Sequence, residues 1–188
     1  MSAPVKRATI ADLYKCEGKA ELIDGRIVEL MSSGMRPSEI AANVYVSLRE
    51  YARQTRAGRA FTDGTGFAVP VLSSGRESFG PDAAFHRGPF VPHSKRFLNG
   101  APAFAVEVRS ENDYGASAER EMAEKRDDYF EAGTLVVWDV DEDAGTVTAY
   151  RFRQQAVIFR RGQVADAEPA VPEWRIAVED VFAEEGMP

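Results

Sequence analysis

Three residues of this chain are chemically at odds with their neighbours: Glu107 inside the apolar run AFAVEVRS, Lys125 on the inward stripe of a helical segment, and Asp82 behind a proline in GPDAAF. Alternation in AFAVEVRS puts Phe104, Val106 and Val108 on one face of a strand and Ala103, Ala105 and Glu107 on the other. That second face is either wet, or kept low by small residues so that another element or a ligand can approach the carboxylate. Ala118, Met122, Lys125, Tyr129 and Ala132 fall on one helical stripe, which the lysine interrupts. A surface lysine with Glu121 one turn earlier would explain it in part. The Glu107 strand leads directly into this helix, however, and a short connection lays Lys125 back over the strand's end. Asp82 precedes Glu107 by 25 residues, room for one loop and a return on an adjacent strand.

Two carboxylates from neighbouring strands and an amine make a site for a hard cation such as Mg²⁺ (or Mn²⁺), which prefers oxygen ligands and keeps several waters. The cation offsets the repulsion of the acids and polarises water; the lysine orients or deprotonates that water, or neutralises charge on a phosphate. This is the chemistry of metal-assisted phosphodiester hydrolysis.

The surrounding pattern supplies elements to hold the three. ELIDGRIVEL reads as a hairpin about Asp24-Gly25. Pro37 suits the first helical position, followed by Ile40, Val44, Ser47, Leu48 and Tyr51 at three-and-four spacing over about five turns. RAFTDGTGFAVPV, FGPDAAFHRG and APAFAVEVRS read as three strands, Ala116 to Ala132 as a second helix ended by Gly133, and TLVVWDVDED as a buried strand entering an acidic turn. TVTAYRFR and QAVIFRR suggest a hairpin, and VPEWRIAVEDVFA a closing strand and short helix packed by Trp174, Val181 and Phe182. Helix, three strands, helix, strand predicts one α/β domain over 1–188 around a mixed sheet.

Composition narrows the rest. The 188 residues suit one domain, and no apolar run has the length of a membrane helix, so a cytoplasmic protein is expected. A lone Cys16, with His86 and His93 the only histidines, argues against structural zinc. The net charge of -7 argues for weak, metal-dependent DNA affinity. Most of it sits in residues 165–188, where seven acids face Arg175 alone, leaving residues 1–164 at -1. GTGFAV lacks the third glycine of a dinucleotide loop. Asp139, Asp141, Glu142 and Asp143 read as a solvated turn, Ser110 as a local hydrogen-bonding residue, and Arg151, Arg153, Arg160 and Arg161 as a solvated edge.

PD at 81–82, EVRS at 107–110, KRDDYFEAG at 125–133 and VVWDVD at 136–141 together resemble the Uma-type restriction endonuclease family of the PD-(D/E)XK nuclease superfamily. With ELIDGRIVEL and PEWRIAVEDVF the likeness covers about residues 18–183. The resemblance implies a restriction-endonuclease-like αβββαβ core, about residues 37–141, with an extra N-terminal hairpin and C-terminal strands. It further implies a Mg²⁺-dependent endonuclease acting on DNA, with a homodimer as the simplest way to cut both strands. Asp82 and Glu107 would bind metal, Lys125 would be the catalytic lysine moved from strand to helix, and Glu39 would be a further acidic ligand from the first helix. Arg109 occupies the usual lysine position and cannot act as a base near neutral pH. Two rival readings remain: a catalytically inactive nucleic-acid- or protein-binding module on the same fold, and a phosphoesterase acting on substrates other than nucleic acid.

Overall fold

The expected order of elements is present in a computed structural model that describes residues 7–184. Its centre is a six-stranded mixed sheet of β3 (Arg59–Thr62), β6 (Ala83–His86), β8 (Phe104–Val108), β9 (Val136–Asp141), β10 (Thr146–Arg151) and β11 (Val157–Arg160). The spatial order is β11-β10-β9-β8-β6-β3, and only the β8–β9 pair is parallel. A parallel pair needs a crossover, which α3 (Ala116–Glu131) provides.

Both faces of this sheet are covered. Phe85, Phe104, Val106, Trp138 and Val140 pack on one face against Ile40, Ala41, Val44 and Leu48 of α2 (Met35–Thr55). The same layer takes in the chain's end, where β12 (Val164–Asp166), β13 (Arg175–Ala177) and α4 (Val178–Val181) bring Trp174, Ile176, Val181 and Phe182 into the core. Rings lock this layer: Phe104 meets Trp138 edge to face at 5.0 Å, and the indole of Trp174 donates to Ser47 on α2 at 3.1 Å. The acidic end of the chain is thus integral to the fold up to Glu184, its acids on the outward positions of elements whose apolar residues are buried.

Ala84, Ala105 and Val137 belong to the other face, beneath Phe79 and Tyr129, whose rings stack at 4.1 Å. Glu107 and Lys125 lie in this layer, so the small-residue face is a covered one. A small sheet of β4 (Phe67–Ala68), β5 (Ser78–Phe79) and β7 (Leu98–Asn99) flanks it. The N-terminal turn α1 (Ile10–Leu13) leads into the hairpin of β1 (Ala20–Ile23) and β2 (Arg26–Glu29). Asp24 and Gly25, at φ 49° and 66°, form its turn as the sequence predicts.

Two expectations need correction. Residues 59–71 form two short strands rather than one, because Asp63-Gly64 turns the chain between β3 and β4. Pro37 is the third helical residue of α2 rather than the first; the helix starts at Met35, and proline is tolerated because the N–H groups of the first turn have no intrahelical acceptor.

Phe104→Ala should lower unfolding free energy by about 3–5 kcal/mol, because its fully buried ring touches both tryptophans and a cavity would remain. Urea denaturation followed by tryptophan fluorescence measures it.

Candidate active site

Antiparallel pairing sets Ala83 against Val106, so one further step places Asp82 opposite Glu107, and opposed residues project from the same face. The Asp82 N–H donates to the Val106 carbonyl at 3.0 Å, and the Val108 N–H donates back to Asp82 Oδ2 at 2.8 Å. The aspartate is therefore clamped by the neighbouring strand's backbone, behind the proline that ends the preceding segment.

Lys125 comes down on this pair from α3. Its ammonium donates to Glu107 Oε2 at 2.9 Å, and Tyr129, one turn later on the same stripe, donates its hydroxyl to Glu107 Oε1 at 2.6 Å. Glu121 plays no part in holding the lysine; it accepts from Ser117 instead.

The N-terminal hairpin completes the site with residues that the sequence reading did not single out. Lys19 and Glu21 are two apart and so share a strand face. Lys19 donates to Asp82 Oδ1 at 3.0 Å and pairs with Asp63 at 2.6 Å. Glu21 is almost fully buried, lies 3.4 Å from the Lys125 ammonium, accepts the Gly80 N–H at 3.0 Å, and makes a short ion pair with Arg76. Arg76 in turn donates to Asp128 at 2.8 Å. Gly80 matters sterically, since a Cβ there would sit 3.3 Å from the Lys19 stem.

Glu107 and Glu21 are biased in opposite directions. Burial raises the Glu107 carboxyl above its ordinary value, the charge on Asp82 adds to this, and Lys125 and Tyr129 only partly offset it. Glu107 still keeps 26% of its side-chain surface exposed, so water tempers the effect. Burial acts the same way on Glu21, but Lys125, Arg76 and the Gly80 N–H overcome it and hold Glu21 below the ordinary range. Burial works to lower Lys125, yet Glu107, Glu21 and Asp82 prevail and raise it, so this lysine is an ammonium at neutral pH. An ammonium suits orientation and charge neutralisation.

Of the other expected residues, Arg109 and Asp139 lie beside this group and Glu39 does not. Arg109 donates to both oxygens of Asp139, at 2.8 and 2.7 Å, and pairs with Glu119, so it is engaged away from Glu107. Asp139 is a buried cross-strand neighbour of Glu107, which corrects its reading as part of a solvated turn. Glu39 accepts from Arg36 at 2.7 Å on α2, whose buried residues pack on the opposite face of the sheet. Ser110 bonds locally to Asp113 at 2.7 Å, as expected. Arg151 is no solvated edge residue, since it donates to Asp166 at 2.8 Å.

Asp63, Asp82, Glu107, Glu21 and Asp128 face Lys19, Lys125 and Arg76, so the connected group is formally two charges negative. A divalent cation would neutralise that excess, and the oxygen donors of Asp82 and Glu107 suit Mg²⁺. Among the described residues no three Asp, Glu, His or Cys side chains are grouped to hold a metal, so such an ion would complete its shell with water and substrate.

Residues 9–179 match the family described as Uma2, putative restriction endonuclease. The chain belongs to this family. A crystal structure described as a putative nuclease belonging to DUF820 from Anabaena variabilis is similar in fold, with a TM-score of 0.73 over 93% of this chain and 97% of that one at 19% identity. No curated protein matches the chain. The fold is accordingly the restriction-endonuclease-like one, and the family supports a nuclease-like function. No helix among the described residues is long and apolar enough to cross a membrane.

The opposite biases of Glu21 and Glu107 are measurable. A carboxyl held below its ordinary value of 4.5 stabilises the fold at neutral pH, and that stability is lost as pH falls through the folded value. A carboxyl held above it favours the fold at low pH, and that contribution disappears as pH rises through its folded value. In metal-free buffer at pH 7.5, roughly a unit above the midpoint of an ordinary histidine, Glu21→Gln should therefore destabilise by about 3–5 kcal/mol, as expected when a buried ion pair loses one partner. Glu107→Gln should raise the melting temperature or leave it unchanged. Thermal melts of both variants from acid to neutral pH check the pair.

Proposed function

We propose that this protein is a metal-dependent endonuclease that hydrolyses DNA phosphodiester bonds, with Asp82 and Glu107 holding Mg²⁺ or Mn²⁺ and Lys125 at the reacting phosphate. The observation carrying this reading is the Lys125 ammonium donating to Glu107 at 2.9 Å, beside a second carboxylate opposed across the strand pair. A bound divalent cation would polarise the phosphate and a water. The chain's own residues supply the rest. Asp82 is fixed by the Val108 N–H, Glu107 is aligned by Tyr129, and the Lys125 ammonium neutralises negative charge gathering on the phosphate oxygens. Glu21 keeps the ammonium from following the substrate out of the site. Two copies acting on opposite strands would account for cleavage of a duplex.

One observation favours a second reading, a noncatalytic module on the same fold. Asp82 and Glu107 already have cationic partners, Lys19 and Lys125, so the acids are satisfied without metal.

Incubation of the purified protein with single-stranded, duplex and branched DNA under Mg²⁺, Mn²⁺ or EDTA separates the two. Cleavage should appear only with metal, and Lys125→Ala should lose it by about 10²–10³-fold, because the charge it supplies is felt mainly in the transition state. DNA binding without cleavage under either metal would establish the noncatalytic module. Cleavage of a small phosphodiester alone would move the substrate away from nucleic acid.

A further inference from the structure

The longest carboxylate-free stretch of this acidic protein is residues 83–106, which contain Arg87, Lys95, Arg96 and both histidines but no Asp or Glu. Folding places that stretch along three neighbouring cavities that share lining side chains. The first, about 170 Å³, starts at Lys19, whose ammonium is on Asp82, and has a floor of Gly18, Gly64, Gly66 and Gly80. Tyr14 and Phe97 pass from it into the second, about 710 Å³, which also holds Phe61, Arg96 and His93. Arg59 and Phe90 are shared between the second and the third, about 370 Å³, where Arg56, Arg87 and His86 lie. No acidic residue lines any of the three. The chamber over Glu107, in contrast, is lined by five.

Two further observations point to a ligand. The guanidinium of Arg59 lies 3.6 Å from the centre of the Phe90 ring and that of Arg96 5.6 Å from the centre of Tyr14, and both rings are exposed. His86 is 94% buried, yet neither imidazole nitrogen has a hydrogen-bond partner among the described residues, and it lines the third cavity. Buried polar atoms are normally paired, so two orphaned nitrogens beside a cavity mark a place for a polar group from outside.

We propose that these cavities form a track for single-stranded nucleic acid, leading away from the Asp82 end of the site. A groove that combines cations for phosphates with ring and guanidinium planes for unstacked bases is how single strands are held without sequence preference. Lys19 and the arginines meet the backbone, Tyr14 and Phe90 offer stacking surfaces, and His86 hydrogen-bonds a phosphate or base edge. A duplex keeps its bases stacked inside and gains only the phosphate contacts. The inference rests on the nuclease reading for the strand's relation to Asp82, but the track binds whether or not the site cuts.

Fluorescence anisotropy of a labelled oligo(dT) and of a duplex of equal length, with the full chain in EDTA, tests it. The oligo(dT) should bind more tightly than the duplex. Phe90→Ala should weaken it about 5- to 150-fold, the effect of losing one stacked base. Arg59→Ala with Arg96→Ala should reduce the salt slope by about 1.4, two single-strand phosphate contacts. These side chains are exposed, so melting temperatures should match the wild type, and Val157→Ala on the remote edge strand serves as control. Absent oligo(dT) binding, preference for duplex, or binding unchanged in variants that melt normally would overturn the track. Single-strand binding lost in Phe90→Ala, with no cleavage under Mg²⁺ or Mn²⁺, would uphold the track and remove the nuclease; metal-dependent cleavage of single strands with Phe90→Ala binding unchanged would do the reverse.

Discussion

Antiparallel pairing of β6 and β8 forces Asp82 and Glu107 onto one face of the sheet, where their like charges repel and the charge on Asp82 works to raise the Glu107 carboxyl. Neither acid can leave, since each sits at the end of a strand whose opposite face is locked into the aromatic core. The surrounding structure answers that repulsion. Lys19 comes from the hairpin to one acid and Lys125 from α3 to the other, and each approach requires a whole element to be held in place. The hairpin is tied by Leu22 to the Ser78 hydroxyl at 2.8 Å, and by Glu77 to the Leu22 carbonyl at 2.8 Å. A small antiparallel ribbon that is marginal alone becomes part of the site because its polar backbone and its buried Glu21 have partners in the segment leading to Asp82.

The two faces of the sheet divide stability and chemistry between them. The face under α2 and the C-terminal elements is apolar, with Trp138, Trp174 and Phe104 in mutual contact. Its burial is expensive to disturb, and its two indole N–H groups are met by the Asp166 carbonyl and the Ser47 hydroxyl. The face under α3 mixes Phe79, Tyr129 and Val137 with ion pairs, and each buried charge there must be met by another. Glu21, Arg76 and Asp128 form such a chain, and a chain of that kind fixes geometry more than it adds stability. The geometry it fixes is that of Lys125.

Much of this was legible in the sequence because it depends on local pattern. Alternation in AFAVEVRS placed Glu107 opposite the core face, and the helical stripe placed Lys125 and Tyr129 inward. Glu21 and Asp128 were not legible: a glutamate in a hairpin strand and an aspartate in a charged helix look solvated until Arg76, from a distant loop, is brought between them. Asp139 was misread for the same reason, since its partner Arg109 lies across a parallel pair joined by α3. Pairings of high sequence separation leave no period to read. The one available signal was spacing: Lys19 and Glu21 two apart just before Asp24-Gly25 put both charges on one face of the hairpin, a cost that implies partners beyond it.

Net charge misleads here for a related reason. The figure of -7 averages a C-terminal segment rich in acids with a stretch, 83–106, that has none. The acids of the end lie on β12, on α4 and in the segment joining β12 to β13, which belong to the layer covering the apolar face, whereas the acid-free stretch borders the cavities that begin at Lys19. Screening at physiological ionic strength acts over about 8 Å. Beyond that distance a polyanion responds to the charges nearest its path, and the total over the chain says little about what it meets. The chamber at Glu107 is lined by five acids and four basic side chains, while the cavities leading outward from Lys19 are lined by described residues that include arginines and no acid. On the proposed reading, a divalent ion and a phosphate backbone would occupy adjoining places, with Lys19, in contact with Asp82, at the boundary between them.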